Sequence, residues 1–319
     1  MTPEHIQLEV LHTRMLQDHF KRSDIQTQLL KQSAGHFGET TTDHFLQYIT
    51  QENYHVMLDL QLFDGISYFQ IDALVVTREF LLILEVKNFK GELTFDFDHN
   101  QLFRKIDDHQ DIFPDPFLQV EHQSLQLTRW LGRYDFPEVP IHSFVVITNP
   151  KTVIKTQGSD LNDRKNRIVR AKRIIPAIYE FAFSTNHREF FKEDEMSELV
   201  SRLKTENTPY QKLVMEKYAL SMNDLIMGVQ CENCSRFRMD RRREHWLCPH
   251  CGMKSKNAHL RTLKDYQVLF GNEITNAEFR RFACLRSRKV AWRLLSDTFP
   301  LKSGSTKDCK YIINWDREQ

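Results

Sequence analysis

The stretch Ile71-Asp72-Ala73-Leu74-Val75-Val76-Thr77-Arg78-Glu79-Phe80-Leu81-Leu82-Ile83-Leu84-Glu85-Val86-Lys87-Asn88-Phe89-Lys90-Gly91 sets the fold. Two apolar runs flank a polar turn at 77–79. The second run, 80–86, has no polar face until its end. Such a strand sits inside a sheet covered on both sides. The first run, 68–76, pairs with it as a hairpin.

Outward from this pair the pattern continues. Residues 54–63 alternate, with Val56, Leu58, Leu60 and Leu62 expected on one side, and Asp64-Gly65 marks a hairpin turn. Residues 92–97 and 101–106 read as a second hairpin around Asp98-His99-Asn100. His99, Asp107, Asp108, His109 and Asp111 read as loop residues. A helix is expected over 117–132, a buried strand over 141–148, and a short extended piece over 167–170. Further helices are expected over 174–183, 194–204 and 209–227. Upstream, 1–34 suits one or two amphipathic helices, and Gly38 precedes a helical run with Phe45, Leu46 and Ile49 inward. Strands clustered between helices predict an α/β layered domain.

Three charged residues interrupt the apolar pair. Residues i and i+2 of a strand share a face, so Glu85 and Lys87 project together while Val86 faces the other way. Hairpin pairing would bring Asp72 beside Glu85. Burying such charges costs several kcal/mol, roughly, unless they are paired or metal-bound. Two carboxylates and the Val86 carbonyl form a hard oxygen site suited to Mg²⁺ or Mn²⁺. A lysine beside that metal can orient or deprotonate a water. The alternative is a structural Glu–Lys pair at a strand end.

The order Gly38-Glu39, Asp72, Glu85-x-Lys87, Asn88-Phe89-Lys90-Gly91 and Asp115-Pro116-Phe117-Leu118-Gln119 resembles the NERD (nuclease-related domain) family, which is similar to the PD-(D/E)xK nucleases. The last piece resembles a family motif Asn-Pro-x-x-Gln, with Asp115 in place of Asn. The resemblance spans roughly residues 35–148. It implies a restriction-endonuclease-like mixed sheet flanked by helices. It further implies Asp72 and Glu85 as metal ligands, Lys87 as catalytic base or water-orienting group, Glu39 as an accessory carboxylate and Gln119 as a helix-borne polar residue facing the site. Glu39 also suits the first turn of a helix, where carboxylates are favoured, and Gln119 also suits a solvated face.

The 319 residues carry 44 Lys and Arg against 43 Asp and Glu, a net charge of +1. That balance conceals two unlike parts. From Gly228 onward there are 19 basic and 10 acidic residues, net +9, and the preceding residues carry −8. A basic module of this kind is the footprint of a nucleic-acid contact.

All six cysteines lie in the basic part. Cys231-x2-Cys234 and Cys248-x2-Cys251 have the spacing of two zinc knuckles. A four-cysteine site closed by protein is structural and supplies folding energy to a small module. Arg236, Arg238, Arg241, Arg242 and Arg243 surround it as candidate phosphate contacts. Trp246 is expected in the ribbon's small core, while Phe237 suits either core or base stacking. Cys284 and Cys309 read as buried apolar-like residues.

The tail reads as helix 263–270, a turn at Gly271-Asn272, helix 276–285, helix 287–298 and a hairpin over 301–313, which resembles a winged helix-turn-helix. Arg286, Arg288 and Lys289 at the start of its third helix are candidate nucleic-acid contacts.

The expected organisation is a helical extension (1–34), the nuclease-like core (35–150), a helical connector (151–227), a zinc ribbon (228–256) and a winged-helix-like tail (257–319). The expected activity is Mg²⁺- or Mn²⁺-dependent phosphodiester hydrolysis, in DNA rather than RNA. The competing classes are a non-catalytic DNA-binding regulator and a protein-binding scaffold. No apolar run reaches the roughly 18 residues of a membrane span. The start MTPEHIQLEV has no apolar signal segment, which predicts a cytoplasmic protein.

Overall fold

The structure is a computed structural model, and it describes residues 3–49, 53–158, 161–184, 188–208, 213–304 and 309–315. The chain divides into two units, residues 32–210 and residues 1–31 with 211–319.

Helices α1 (Pro3–Arg14) and α2 (Arg22–Leu46) open the chain. Gly35 and Gly38 both lie inside α2, so the helix begins well before the expected run after Gly38. Gly38 is there for close approach. A Cβ at this position would lie 2.8 Å from the Asn88 Cβ and 3.1 Å from Thr148 Oγ1.

In the 32–210 unit, β1 (His55–Phe63), β2 (Tyr68–Val76) and β3 (Leu81–Lys87) form an antiparallel meander. After them come β4 (Glu92–Asp96), β5 (Gln101–Ile106), β6 (His109–Pro114), α3 (Pro116–Gly132), β7 (Ile141–Ile147) and β8 (Val153–Gln157). The unit closes with α4 (Leu161–Asn166), β9 (Ile168–Arg170), α5 (Ile174–Ser184) and α6 (Glu193–Glu206). One sheet has the order β1-β2-β3-β7-β9, with β3, β7 and β9 parallel. A second has the order β6-β5-β4-β8.

Strand β3 is central, as its sequence predicts. Leu81 and Ile83 face a core that includes Phe117, Val120, Leu127 and Trp130 of α3. Leu82 and Leu84 face the opposite core, with Ile174 and Ile178 of α5. Burying both faces of a strand in this way is the main stabilising contribution of the sheet.

In this unit two strands escape the sequence reading. His109 and Asp111 belong to β6 rather than a loop, and β8 pairs parallel with β4. Both are short, polar edge strands without a legible alternation. The alternation expected for β1 also fails at Leu58, which is exposed. Asp59 adopts a left-handed φ of 47°, and the side-chain phase resets there. Met57 lies on one side of that break and Leu60 and Leu62 on the other, yet all three face the same core.

The unit of 1–31 and 211–319 contains α7 (Val214–Lys217), the ribbon strands β10 (Asp240–Arg241), β11 (Trp246–Leu247) and β12 (Lys254–Ser255), and then α8 (Ala258–Phe270), β13 (Glu273–Thr275), α9 (Asn276–Phe282), α10 (Arg288–Thr298), β14 (Lys302–Ser303) and β15 (Lys310–Ile312). The long helix expected over 209–227 is absent among the described residues, and 209–212 lie outside them. Ala219 takes a left-handed φ of 47°, and Leu225 bridges Met15 in extended form.

The tail has the helix-strand-helix-helix-strand-strand order of a winged helix, with a sheet ordered β13-β15-β14. Residues 305–308 of its expected hairpin lie outside the described residues. Arg14 of α1 is fully buried in this unit. Its Nε donates to Asp265 Oδ2 at 2.7 Å, and its guanidinium stacks on Phe237 and Phe282. No helix among the described residues is long and apolar enough to cross a membrane.

Candidate functional site

Pairing of β2 with β3 stops at Ala73–Leu84. One step further the register sets Asp72 opposite Glu85, and the strands part. The Val86 N–H, freed from the ladder, donates to Asp72 Oδ2 at 2.8 Å. A buried backbone donor needs such a partner, so the aspartate replaces a strand at the point where the sheet opens.

Glu85 is 2% exposed, and both of its oxygens are held. Lys87 Nζ donates to Oε1 at 2.6 Å, and Gln123 Nε2 donates to Oε2 at 3.0 Å. Lys87 also donates to Gln119 Oε1 at 3.0 Å. Gln119 and Gln123 are one helical turn apart on α3, which sets both beside the end of β3. Burial and the neighbouring Glu85 charge raise the Asp72 carboxyl well above the ordinary aspartate range.

Glu39 projects from α2 next to Gly38. Its carboxyl is also raised, first by burial and then by Asp59, Asp43 and Glu85. The structure thus bonds Glu85, Lys87 and Gln119 into one group through Lys87, with Asp72 tied beside it by the Val86 N–H and Glu39 in the field of Glu85 but not bonded to the group.

Gln123 is the residue the sequence reading missed. It is buried, and it bonds the Gln70 carbonyl as well as Glu85. The signal available was its i+4 spacing from Gln119. Asp115 caps α3, its Oδ1 accepting from Phe117 N at 2.9 Å. Asparagine and aspartate serve equally well at that position, which accounts for the departure from the Asn-Pro-x-x-Gln pattern.

Glu85 is buried and Asp72 half-buried beside it, and the donors that the two carboxyls offer are hard oxygens. Asp72, Glu85 and the Val86 carbonyl therefore fit a divalent cation of the Mg²⁺ or Mn²⁺ type.

The second cluster is Cys231, Cys234, Cys248 and Cys251, whose sulfurs all lie within 4.8 Å of one another. The Cys231–Cys251 and Cys234–Cys248 pairs are 3.6 and 3.5 Å apart. Tetrahedral thiolates at about 2.3 Å from zinc would be about 3.8 Å apart. The cluster fits a zinc ribbon. Hydrogen bonds from the Asn233 side chain and the Met253 N–H lower the Cys251 thiol to about 6, while, against the Arg236 N–H, burial and hydrogen bonds with Cys248, Cys251 and Cys231 raise the Cys234 thiol to about 11.

The basic candidates divide. Arg241 lies over the Trp246 ring at 5.3 Å, Arg242 pairs with Asp240 at 3.2 Å, and Arg236 contacts His250 at 3.0 Å. Arg238 and Arg243 are exposed, as are Arg286, Arg288 and Lys289. Trp246 is buried, as expected, and Phe237 is half-buried beneath Arg14. Cys284 is exposed rather than buried, and Cys309 is half-buried.

Neither the curated proteins nor the solved structures offer a match to this chain. Residues 34–148, which hold Glu39, Asp72, Glu85, Lys87, Gln119 and Gln123, match the family model described as the nuclease-related domain, so the chain carries a NERD domain over that span.

Proposed function

We propose that the protein is a divalent-metal-dependent nuclease acting on DNA, held on its substrate by the zinc ribbon and winged-helix tail. The observation that carries this reading is the Asp72–Glu85–Lys87 group at the parting of β2 and β3, supported by the NERD match.

Asp72, Glu85 and the Val86 carbonyl would hold the cation, which when bound lowers the pKa of a water and offsets charge on the attacked phosphate. Gln123 and Lys87 fix the Glu85 carboxylate from its two sides. Lys87 and Gln119 present a donor and an amide to the open face, where they orient the attacking water and stabilise charge developing on the phosphate. The water oxygen bonds to phosphorus and gives up a proton to solvent, the bond from phosphorus to the leaving sugar oxygen breaks, and that oxygen takes up a proton from solvent.

In the basic unit, Cys231, Cys234, Cys248 and Cys251 would hold structural Zn²⁺. The exposed Arg236, Arg238, Arg243, Arg286, Arg288 and Lys289 would supply phosphate contacts.

The test is cleavage of circular single- and double-stranded DNA and RNA with Mg²⁺ or Mn²⁺, run beside Lys87→Ala and Glu85→Ala. Each substitution should lower the rate by roughly 10²–10⁴-fold and leave DNA binding largely intact. Equal cleavage by the wild type and both variants would sink the assignment. A salt titration separates the scaffold reading: DNA affinity falls steeply with salt, and a flat response would favour a protein ligand.

A further inference from the structure

The winged-helix tail carries a concave groove of roughly 760 Å³ between α9, α10 and the wing strands. Its walls present four cations, Arg280, Arg288, Lys289 and Lys302, and no carboxylate is among the described residues that line it. Two polar atoms there are buried without a hydrogen-bond partner, Arg280 Nε and Asn276 Oδ1. Unsatisfied buried groups of this kind are uncommon and mark a place where a ligand can supply the missing bond.

Trp292 stands among these cations with 53% of its surface exposed. Trp130 and Trp246 are each 1% exposed. Trp292 lies one turn from Arg288 and Lys289, so the ring and the two charges share one face of α10. Lys302 Nζ lies 6.0 Å from the Trp292 ring centre and 4.9 Å from that of Tyr311, and it also donates to Ser296 Oγ at 3.1 Å. Its charge is therefore held at the edge of the indole face rather than free in solvent.

We infer that this groove binds a single-stranded nucleic-acid segment, with its phosphates on Arg280, Arg288, Lys289 and Lys302 and an unpaired base stacked on Trp292. A duplex offers phosphates to such a surface but keeps its base faces inside the stack. The exposed indole among the cations is matched only by a base that has no partner strand. Stacking of this type tolerates any base, and DNA and RNA share the chemistry. The inference rests on the nucleic-acid part of the reading above and adds the strand state and the residue that senses it.

The experiment uses the full-length chain carrying Lys87→Ala, with zinc retained, and follows fluorescence anisotropy of labelled oligothymidylate, oligouridylate and a blunt DNA hairpin. Single strands should bind more tightly than the hairpin. Trp292→Ala should weaken single-strand binding roughly tenfold, and Trp292→Phe should restore part of the loss. Lys289→Ala should reduce the slope of log affinity against log salt by about 0.7 on single strands. The proposal is overturned if the hairpin binds as tightly as the single strands, if Trp292→Ala weakens both equally, or if no nucleic acid binds. The two DNA and RNA probes distinguish the sources of the strand. The wild-type chain with Mn²⁺, run on the same probes, reports separately on the nuclease reading: that reading fails if the wild type leaves the probe intact or if Lys87→Ala cuts it as fast, whereas a failure of the groove shows as lost discrimination.

Discussion

Asp72 carries a cost that its neighbours explain. Burial and the Glu85 charge raise its carboxyl above the ordinary aspartate range, so the folded state holds a proton that the unfolded chain has already released. Stability then falls as pH rises from the ordinary aspartate value through the raised one, and is level above it. Asp72→Asn should raise the melting temperature at neutral pH, by a margin that grows across that window. Thermal melts between pH 4 and 8 would show it. Mg²⁺ or Mn²⁺ should narrow the gap by stabilising only the wild type. Gln123 makes a matching case for position over charge. Gln123→Leu frees Glu85 Oε2 and should lower activity by roughly 10–100-fold, while raising the Mn²⁺ concentration needed for half-maximal cleavage. An unchanged metal titration would show that Gln123 does not act through Glu85. Asp72, Glu85 and Lys87 were legible in the sequence because charges stand out in an apolar strand. Gln123 was not, since a glutamine on a helix reads as solvated until the opposing strand is known.

At the scale of elements, the approach of α2 to the end of β3 depends on one glycine. The sequence places Gly38 ahead of a helical run, and glycine is a poor helix former. Packing overrides that propensity: the bare Cα lets α2 come against Asn88, Thr148 and Val86. Gly38→Ala should destabilise the 32–210 unit by about 1–3 kcal/mol, read from denaturant midpoints. It should also reduce cleavage, since Glu39 would be displaced with the helix. No loss of stability would mean that the two elements have slack. The central strands and α3 were readable from continuous apolar runs and helical spacing. β6 and β8 were not, because edge strands need no apolar face and these are polar. The phase break at Asp59 was unreadable for another reason: a single left-handed residue reverses the alternation that strand reading assumes.

For the whole molecule, the two units have separate cores. Trp246, Cys231 and Cys248 belong to the core of the unit formed by 1–31 and 211–319, together with Leu8, Leu11 and Phe282. The cysteine ligands are therefore part of the packing as well as of a metal site. Chelation of zinc should lower the melting transition of that unit and leave the other in place. Calorimetry with and without chelator would resolve the two. A single transition shifted as a whole would show that the units unfold together. The cysteine spacing made the ribbon visible from sequence, and the helix order did the same for the tail. The place of α1 was not visible, because a short amphipathic helix carries no label for the surface it covers.

The burial of Arg14 has a consequence for synthesis. Its partners Asp265, Phe237 and Phe282 are made some 220 residues or more after it. During translation the first helix is therefore without these native partners until the intervening 32–210 segment has emerged. The 32–210 unit is complete in chain order before Asp265, and the unit carrying the basic groove cannot close until Asp265 has emerged. Cutting the chain at Gly228 would take Asp265, Phe237 and Phe282 away from Arg14 and α8 away from α1, with the Ile226 carbonyl, Leu225 and α7 left to cover that helix. Excision at 32–210 keeps every residue of the nuclease-like unit but cuts α2 at the unit's boundary.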